Sequence, residues 1–223
     1  MATVAIDVDD TLYSFSNLAR TILADEAAKT GSDVLKAAAY APWTQWRTPP
    51  DMMGLEEWLR IIDLAHDEDM ILQQEPYSNS VAICHQLAEQ HEIVYVSSRN
   101  TERYDATLQW LQECDYPDGV LTCSGHDKTK HLQSCQYIID DRPSTLVRFV
   151  YDYDWKNKFG STNKQMERIG FGLQTEFNGA LTDVPNIYLA PPMNWLLLKH
   201  YLVKTGVLAD TPYYGSGVHL AAA

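Results

Sequence analysis

The stretch TVAIDVDDTL, residues 3–12, decides the fold of this chain. Its first six residues form a short, mostly apolar run rich in β-branched side chains, which indicates a buried strand. Asp7 and Asp9 stand at the end of that run, two positions apart. Residues at this spacing point to the same side of a strand, so both carboxylates can turn towards one crevice as the chain leaves the sheet.

Beyond Pro76, further apolar runs alternate with helical patterns. This alternation is typical of a parallel sheet with helices on both faces, and therefore of an α/β fold. The predicted strands are 92–97 (EIVYVS), 119–122, 136–140 (QYIID), 170–174 and 186–190, and the predicted helices lie near 81–88, 104–111 and 193–203.

Residues 14–76 interrupt the alternation and carry no strand signal. Apolar spacing predicts one helix from Phe15 to about Ala28 and another from Leu55 to Ala65, around a turn-rich aromatic stretch at 31–54. We interpret this segment as a helical cap inserted into the core. The predicted division is a core of 1–13 and 77–210, a cap of 14–76 and a loosely ordered tail at 211–223.

Composition restricts the partners of the protein. The chain has 223 residues, 45% of them apolar, and a formal net charge of −13. No apolar run approaches the roughly 18 residues of a membrane helix, and no basic-then-apolar segment suggests a signal peptide. The thin spread of Lys and Arg disfavours polymeric nucleic acid. The four cysteines form no CxxC pair, so we expect free thiols and a cytoplasmic location.

Polar side chains follow three of the predicted strands. Because ligands of open parallel sheets bind beyond the carboxyl ends of the strands, we expect these groups to meet, with Lys128 or Lys130 nearby. The alternative is local: the acidic residues cap the helices that follow them. The groups are Asp7 and Asp9 on the first strand, Ser97, Ser98 and Arg99 on the second, and Asp140, Asp141 and Arg142 on the third.

The ordered set of segments resembles the haloacid dehalogenase-like (HAD) superfamily. Residues 7–12 (DVDDTL) fit its DxDxT motif, Ser97 fits the Ser or Thr that closes a strand, Lys128 fits the third motif, and 138–141 (IIDD) fit the acidic fourth. The resemblance covers residues 3–143. It implies a Rossmann-like core with a cap inserted after the first motif, and a Mg²⁺-dependent phosphatase.

Four residues are catalytic in this hypothesis. Asp7 attacks phosphorus to form an aspartyl-phosphate, and Asp9 protonates the leaving alcohol and later takes a proton from water. Lys128 and Ser97 bind the transferring oxygens. Asp9 would need a raised pKa to act as an acid, and we expect neighbouring carboxylates to raise it.

Mg²⁺ offsets the repulsion between a carboxylate and a phosphate dianion. The expected ligands are the side chain of Asp7, the backbone carbonyl of Asp9 and one or both of Asp140 and Asp141, with Asp141 favoured as the direct ligand.

Within the superfamily, the DKT segment at 127–129 and IDDRP at 139–143 resemble the 5′(3′)-deoxyribonucleotidases. The substrate would then be a (deoxy)nucleoside monophosphate, with Phe15 stacking on the base. The chain departs from that family in reading DDT after Val8 and in its long C-terminal part. The candidate substrate-binding residues are Thr11, Phe15, Trp43, Trp46, Ser98 and Arg99. For Trp43 and Trp46, packing within the cap is the alternative to stacking, and for Arg99 an ion pair is the alternative to substrate contact.

Three other functions remain open at this stage: a 3′-phosphatase of nucleic-acid ends, a sugar phosphatase, and a non-catalytic binding protein on the same scaffold. Retention of Asp7, Asp9, Ser97 and Lys128 counts against the last. The oligomeric state is also open, a homodimer included.

Overall fold

A six-stranded sheet with all its strands parallel forms the centre of the fold. The computed structural model describes residues 1–45, 47–125, 128–151, 168–175 and 178–209. Within these ranges the strands stand in the order β3-β2-β1-β4-β5-β6. The predicted α/β fold with a parallel sheet is confirmed. The strands are β1 (Ala2–Ile6), β2 (His91–Ser97), β3 (Val120–Cys123), β4 (Tyr137–Ile139), β5 (Ile169–Leu173) and β6 (Ile187–Ala190).

Successive residues of the central strands enter two separate cores. Val4 and Ile6 of β1 belong to the larger core, while Ala5 between them belongs to a smaller one on the opposite face. Alternate residues of a strand point to opposite faces, so β1 is buried on both sides. This explains why the sequence of β1 is apolar throughout rather than alternating.

Nine α-helices surround the sheet within the described residues. α6 and α9 pack against each other and against strands, and α8 packs against β5 and β6. The helices are α1 (Phe15–Thr30), α2 (Asp33–Tyr40), α3 (Thr48–Met53), α4 (Leu55–Ala65), α5 (Glu68–Leu72), α6 (Ser80–Ala88), α7 (Tyr104–Glu113), α8 (Pro143–Tyr151) and α9 (Trp195–Lys204).

The stretch at 31–54, predicted to be turn-rich, contains two short helices. The Ser32 hydroxyl accepts a hydrogen bond from the N–H of Leu35, which caps the start of α2. α3 carries prolines in its first turn, where a missing N–H costs no helical hydrogen bond. These prolines were interpreted as turn residues, although in this position they begin a helix.

Five helices, α1 to α5, lie between β1 and α6, where the inserted segment was predicted. The division into core and cap stays a prediction. Of the other expectations, the tail at 211–223 and Trp46 lie outside the described residues.

All four cysteines are free thiols. In the described ranges, every helix is too short or too polar to cross a membrane.

Candidate active site

The carboxyl ends of three adjacent strands form the floor of the site. β1 pairs with β2 on one side and with β4 on the other. Asp7 directly follows β1, Ser97 closes β2, and Asp140 directly follows β4. Because the three strands are parallel neighbours, their following residues meet at one edge of the sheet, as predicted.

Three buried carboxylates converge there. One carboxylate oxygen each from Asp7, Asp140 and Asp141 lie within 4.8 Å of one another. The Nζ of Lys128 lies 2.7 Å from Asp7 Oδ1 and 2.7 Å from Asp140 Oδ2. Lys128 is buried with them. The sequence prediction that these residues meet at one point therefore holds in the structure.

Burial and neighbouring charges shift the pKa values of the residues in this cluster. Burial raises the pKa of Asp7 to about 6, against the opposing effect of Lys128 and with the support of Asp140 and Asp9. Burial, Asp10 and Asp7 together raise the pKa of Asp141 well above its ordinary value. The pKa of Lys128 is raised by Asp140 and Asp7, although burial lowers it.

The donor set fits a hard divalent cation. Three buried carboxylates face a single lysine, so the cluster has an excess of negative charge, and oxygen ligands are those that Mg²⁺ prefers. Asp140 is already engaged: its Oδ1 accepts from the N–H of Arg142 at 2.8 Å, and its Oδ2 faces Lys128. Asp141 lines the cavity above the floor, which favours Asp7 and Asp141 as direct ligands with Asp140 in support.

The prediction that the pKa of Asp9 is raised is wrong. Arg99, whose side chain is fully buried, donates from Nη2 to Asp9 Oδ1 at 2.8 Å, and from Nε to both carboxylate oxygens at 3.2 and 3.3 Å. The hydroxyl of Tyr13 donates to the same Oδ1 at 2.6 Å. Burial raises the pKa of Asp9, but Arg99 and His66 outweigh it and hold the pKa well below its ordinary value. Neighbouring carboxylates were expected to raise the pKa of Asp9, whereas the guanidinium of Arg99 has the larger effect and lowers it.

This arrangement supports the ion-pair alternative for Arg99. Its Nη1 donates to Thr107 Oγ1 and its Nη2 to the Tyr13 hydroxyl, each at 2.8 Å. These contacts, with those to Asp9, make Arg99 the centre of a buried ion pair. Arg99 also lines the cavity, and its contact with substrate stays a prediction.

Two residues that the sequence analysis left out of the site belong to it. Asp10 has a left-handed backbone with φ of 56°, and its carboxylate accepts from the N–H of Ser16 at 2.8 Å and from the Ser16 hydroxyl. It thus satisfies a free N–H in the first turn of α1, so the capping alternative is correct for Asp10. Burial raises its pKa to about 7.

His66 is the second such residue. It follows α4, lines the cavity, and has its Nε2 3.5 Å from Asp9 Oδ2. Its ring lies 5.0 Å from the ring of Phe15, between centroids. Nothing in the sequence near His66 signals this position, because the partner lies 57 positions away in a different element.

The remaining candidate residues divide between the cavity and the protein interior. Phe15 and Ser98 line the cavity. Ser97 is fully buried, accepts from the N–H of Arg99 at 3.1 Å, and contacts Asp9 at 3.4 Å. Thr11 is fully buried, and its carbonyl accepts from Nε1 of Trp195 at 3.1 Å. The predicted substrate contacts of Ser97 and Thr11 have no support in this geometry.

Trp43 packs inside the inserted helices and presents no surface for stacking on a base. It is fully buried, its Nε1 donates to the carbonyl of Ala38 at 2.9 Å, and its ring meets Trp58 edge-on at 5.5 Å between centroids. Arg20 lies over the ring at 4.0 Å. The packing alternative is therefore correct, because burial and a satisfied indole N–H fix the side chain in the interior.

One cavity of about 820 Å³ joins the floor to the inserted helices. Asp7, Lys128 and Asp141 lie at its base, and side chains of α4 line it as well. Its volume falls in the range of about 300–1,000 Å³ that is usual for small-molecule sites. The arrangement can therefore bring a small anionic molecule to the buried lysine and carboxylates.

The fold is shared with solved HAD-type hydrolases. A haloacid dehalogenase-like family hydrolase from Streptococcus pneumoniae aligns with a TM-score of 0.55 at 14% identity, covering 88% of this chain and 97% of its own. A HAD family hydrolase from Deinococcus radiodurans R1, solved with bound phosphate and sodium, aligns with a TM-score of 0.58 at 13% identity, covering 95% and 99%.

These likenesses define the fold, which is the α/β fold of solved HAD-like hydrolases. No protein-family model matches the chain, and no curated protein matches it in sequence. At 13–14% identity, the structural likeness extends to the fold alone.

Proposed function

We propose that the protein is a Mg²⁺-dependent phosphomonoesterase that uses Asp7 as its nucleophile. The observation that carries the proposal is the position of Lys128, whose Nζ lies 2.7 Å from both Asp7 and Asp140 within a buried carboxylate cluster. A carboxylate can approach a phosphate dianion only if fixed positive charge offsets their repulsion. The phosphate in the structurally similar Deinococcus protein is consistent with this chemistry.

In the first half of the proposed reaction, a carboxylate oxygen of Asp7 bonds to phosphorus, and the bond from phosphorus to the alcohol oxygen breaks. The alcohol oxygen takes up a proton as it leaves. With a pKa of about 6, Asp7 is mostly ionised at pH 7 and can act as the nucleophile. Lys128 binds the transferring oxygens, and Ser98, which lines the same cavity, is positioned to donate to them.

In the second half, water attacks phosphorus and the bond from phosphorus to Asp7 breaks. Phosphate leaves and the Asp7 carboxylate is regenerated. Asp7 and Asp141, with Asp140 in support, would hold Mg²⁺, which would supply positive charge that offsets the charge of the phosphate.

Asp9 stays the proposed proton carrier. To donate a proton to the leaving alcohol, Asp9 must be protonated when the substrate binds, which requires that its contacts with Arg99 loosen. The carboxylate left by that donation then takes a proton from the attacking water. Replacement of Asp9 with Asn should therefore slow alkyl phosphates more than p-nitrophenyl phosphate, whose leaving group needs no proton.

The proposed substrate is a nucleoside monophosphate in a cytoplasmic setting. Its support is the sequence resemblance to 5′(3′)-deoxyribonucleotidases, together with Phe15, the residue expected to stack on the base, which lines the cavity. The net charge of −13 counts against phosphorylated ends of long nucleic acid.

A substrate panel tests the function. Phosphate release is measured from dTMP, dUMP, dGMP, ribose 5-phosphate, acetyl phosphate and a 3′-phosphorylated oligonucleotide, with Mg²⁺ and with EDTA. We expect Mg²⁺-dependent release, and its loss by at least about 10³-fold in Asp7→Asn, because the nucleophile is gone.

Asp25→Asn makes the same chemical change at an exposed position on α1 and should retain full activity. Unchanged turnover in Asp7→Asn, or no release from any compound, would rule out the proposal.

A further inference from the structure

The face of α4 that lines the cavity is apolar and open to solvent. Leu55, Leu59 and Ile62 recur at spacings of four and three, so they form one stripe along the helix. All three line the cavity that holds Asp7 and Lys128. Leu55 is 63% exposed and Leu59 is 47% exposed. Two exposed branched apolar side chains on the wall of a cavity, continued by the partly buried Ile62, indicate a surface that a ligand covers.

The helix packs against its neighbours mainly through other apolar residues. Trp58, Ile61 and Ala65 are buried and belong to the large core, although Trp58 also lines the cavity and Ile62 also packs against the core. Burial of α4 against its neighbours therefore does not need Leu55 or Leu59. Leu55 and Leu59 are thus exposed on the wall of the cavity.

Contacts with the sheet side of the cavity fix this wall relative to the catalytic floor. Nη2 of Arg103, in the turn before α7, lies 2.9 Å from Asp63 Oδ1 and 3.3 Å from Asp67 Oδ1. His66, one turn beyond Ile62, reaches Asp9. The apolar stripe and the carboxylates thus line one cavity, so the leaving group of a phosphomonoester bound at Asp7 can reach the stripe.

We propose that Leu55, Leu59 and Ile62 form the leaving-group subsite and accept the apolar face of a nucleobase. This inference rests on the proposed phosphatase function. A sugar without a base would turn hydroxyl groups towards side chains that offer no hydrogen bond, and it would lose its bonds to water without replacement. A base presents a flat face of low polarity, which covers the stripe. The subsite thus selects nucleoside monophosphates over sugar phosphates.

Substitution of the stripe tests the inference. Leu59→Asn keeps the approximate size of the side chain and makes it polar, and Leu59→Met keeps it apolar. Leu196→Asn is the matched control, because Leu196 is 52% exposed on α9, away from the cavity. kcat and KM are measured for dTMP, ribose 5-phosphate and acetyl phosphate, whose leaving group is too small to reach the wall.

We expect wild-type protein to favour dTMP over ribose 5-phosphate by at least about tenfold in kcat/KM. Leu59→Asn should lower kcat/KM for dTMP by about tenfold, mainly through KM, and leave acetyl phosphate unchanged. Leu59→Met should lose less than Leu59→Asn, because its side chain stays apolar, and Leu196→Asn should match the wild type.

Two results overturn the inference while leaving the phosphatase intact: equal or better hydrolysis of ribose 5-phosphate, or an unchanged KM for dTMP in Leu59→Asn. Absence of hydrolysis of all three compounds overturns the phosphatase proposal itself, and this inference with it.

Discussion

Replacement of Arg99 by Met should destabilise the protein more than any exposed ion pair could. The guanidinium is fully buried and donates to Asp9, Thr107 and the Tyr13 hydroxyl. Removal of one partner of a buried ion pair typically costs about 3–5 kcal/mol, because the other charge is left buried and uncompensated. In a chain of this length, 1 kcal/mol corresponds to about 2–4 °C, so we expect Tm to fall by about 6–20 °C at pH 7.

The loss of stability in Arg99→Met should depend on pH. The folded-state pKa of Asp9 lies below its ordinary value because Arg99 and His66 outweigh burial. The resulting stability is present above the unfolded pKa of about 3.9 and is lost as the pH falls towards the folded pKa. In Arg99→Met the main opposing charge is gone, burial raises the pKa of Asp9, and protonation relieves the buried charge. The difference in Tm between the wild type and Arg99→Met should therefore become smaller from pH 7 to pH 4.5.

Thermal unfolding followed by circular dichroism, in EDTA at pH 7, 5.5 and 4.5, measures both effects. Arg60→Met is the control: Arg60 contacts Glu26 at 2.9 Å and Glu57 at 2.8 Å, but its side chain is 43% exposed. Such exposed pairs contribute about 0–1 kcal/mol. Asp9→Asn combined with Arg99→Met should recover part of the loss, because no buried charge then lacks a partner. A loss below about 1 kcal/mol in Arg99→Met, or a gap that does not change with pH, would refute the reasoning.

Two further predictions concern the floor and the inserted helices. Mg²⁺ at about 100 times its Kd should stabilise the wild type by about 2.7 kcal/mol, or about 5–11 °C in Tm, and Asp141→Asn should lose most of this shift. An undiminished shift in Asp141→Asn would remove Asp141 from the ligand set. Trp43→Ala should cost about 3–5 kcal/mol in urea unfolding, because a fully buried indole is lost, yet leave KM for dTMP nearly unchanged. A large rise in KM with little loss of stability would restore the stacking role.

The carboxylates of the floor could be predicted from the sequence because the hydrophobic pattern locates the strands that they follow. Buried strands have continuous apolar runs, and the ends of parallel neighbours meet at one edge. Asp7 and Asp140 are adjacent to such runs, so knowledge of the strands was sufficient to place them. Lys128 lies in a loop, and its position was predicted through the motif rather than the pattern.

The electrostatic environment of Asp9 could not be predicted in this way. The count of nearby carboxylates suggested a raised pKa, but a buried guanidinium 90 positions away outweighs them. Whether Arg99 points into the cavity or into the protein depends on Tyr13 and Thr107, which complete its hydrogen bonds. Composition around a motif therefore reports which charges are available, while their pairing depends on contacts between distant elements.

The same difference between residue type and packing separates Trp43 from Leu59. Trp43 seemed the better candidate for contact with a base because of its residue type, yet it is buried, and Leu59 lies open in the cavity. The face that α4 turns towards the floor depends on the core made by Trp58 and Ile61, and on the contact of Arg103 with Asp63, 40 positions apart. A break in the strand pattern thus predicts an inserted segment, whereas the residues that such a segment offers to a substrate follow only from its packing. Specificity in this fold is therefore better sought among exposed apolar residues of the cavity than among the most aromatic residues of the sequence.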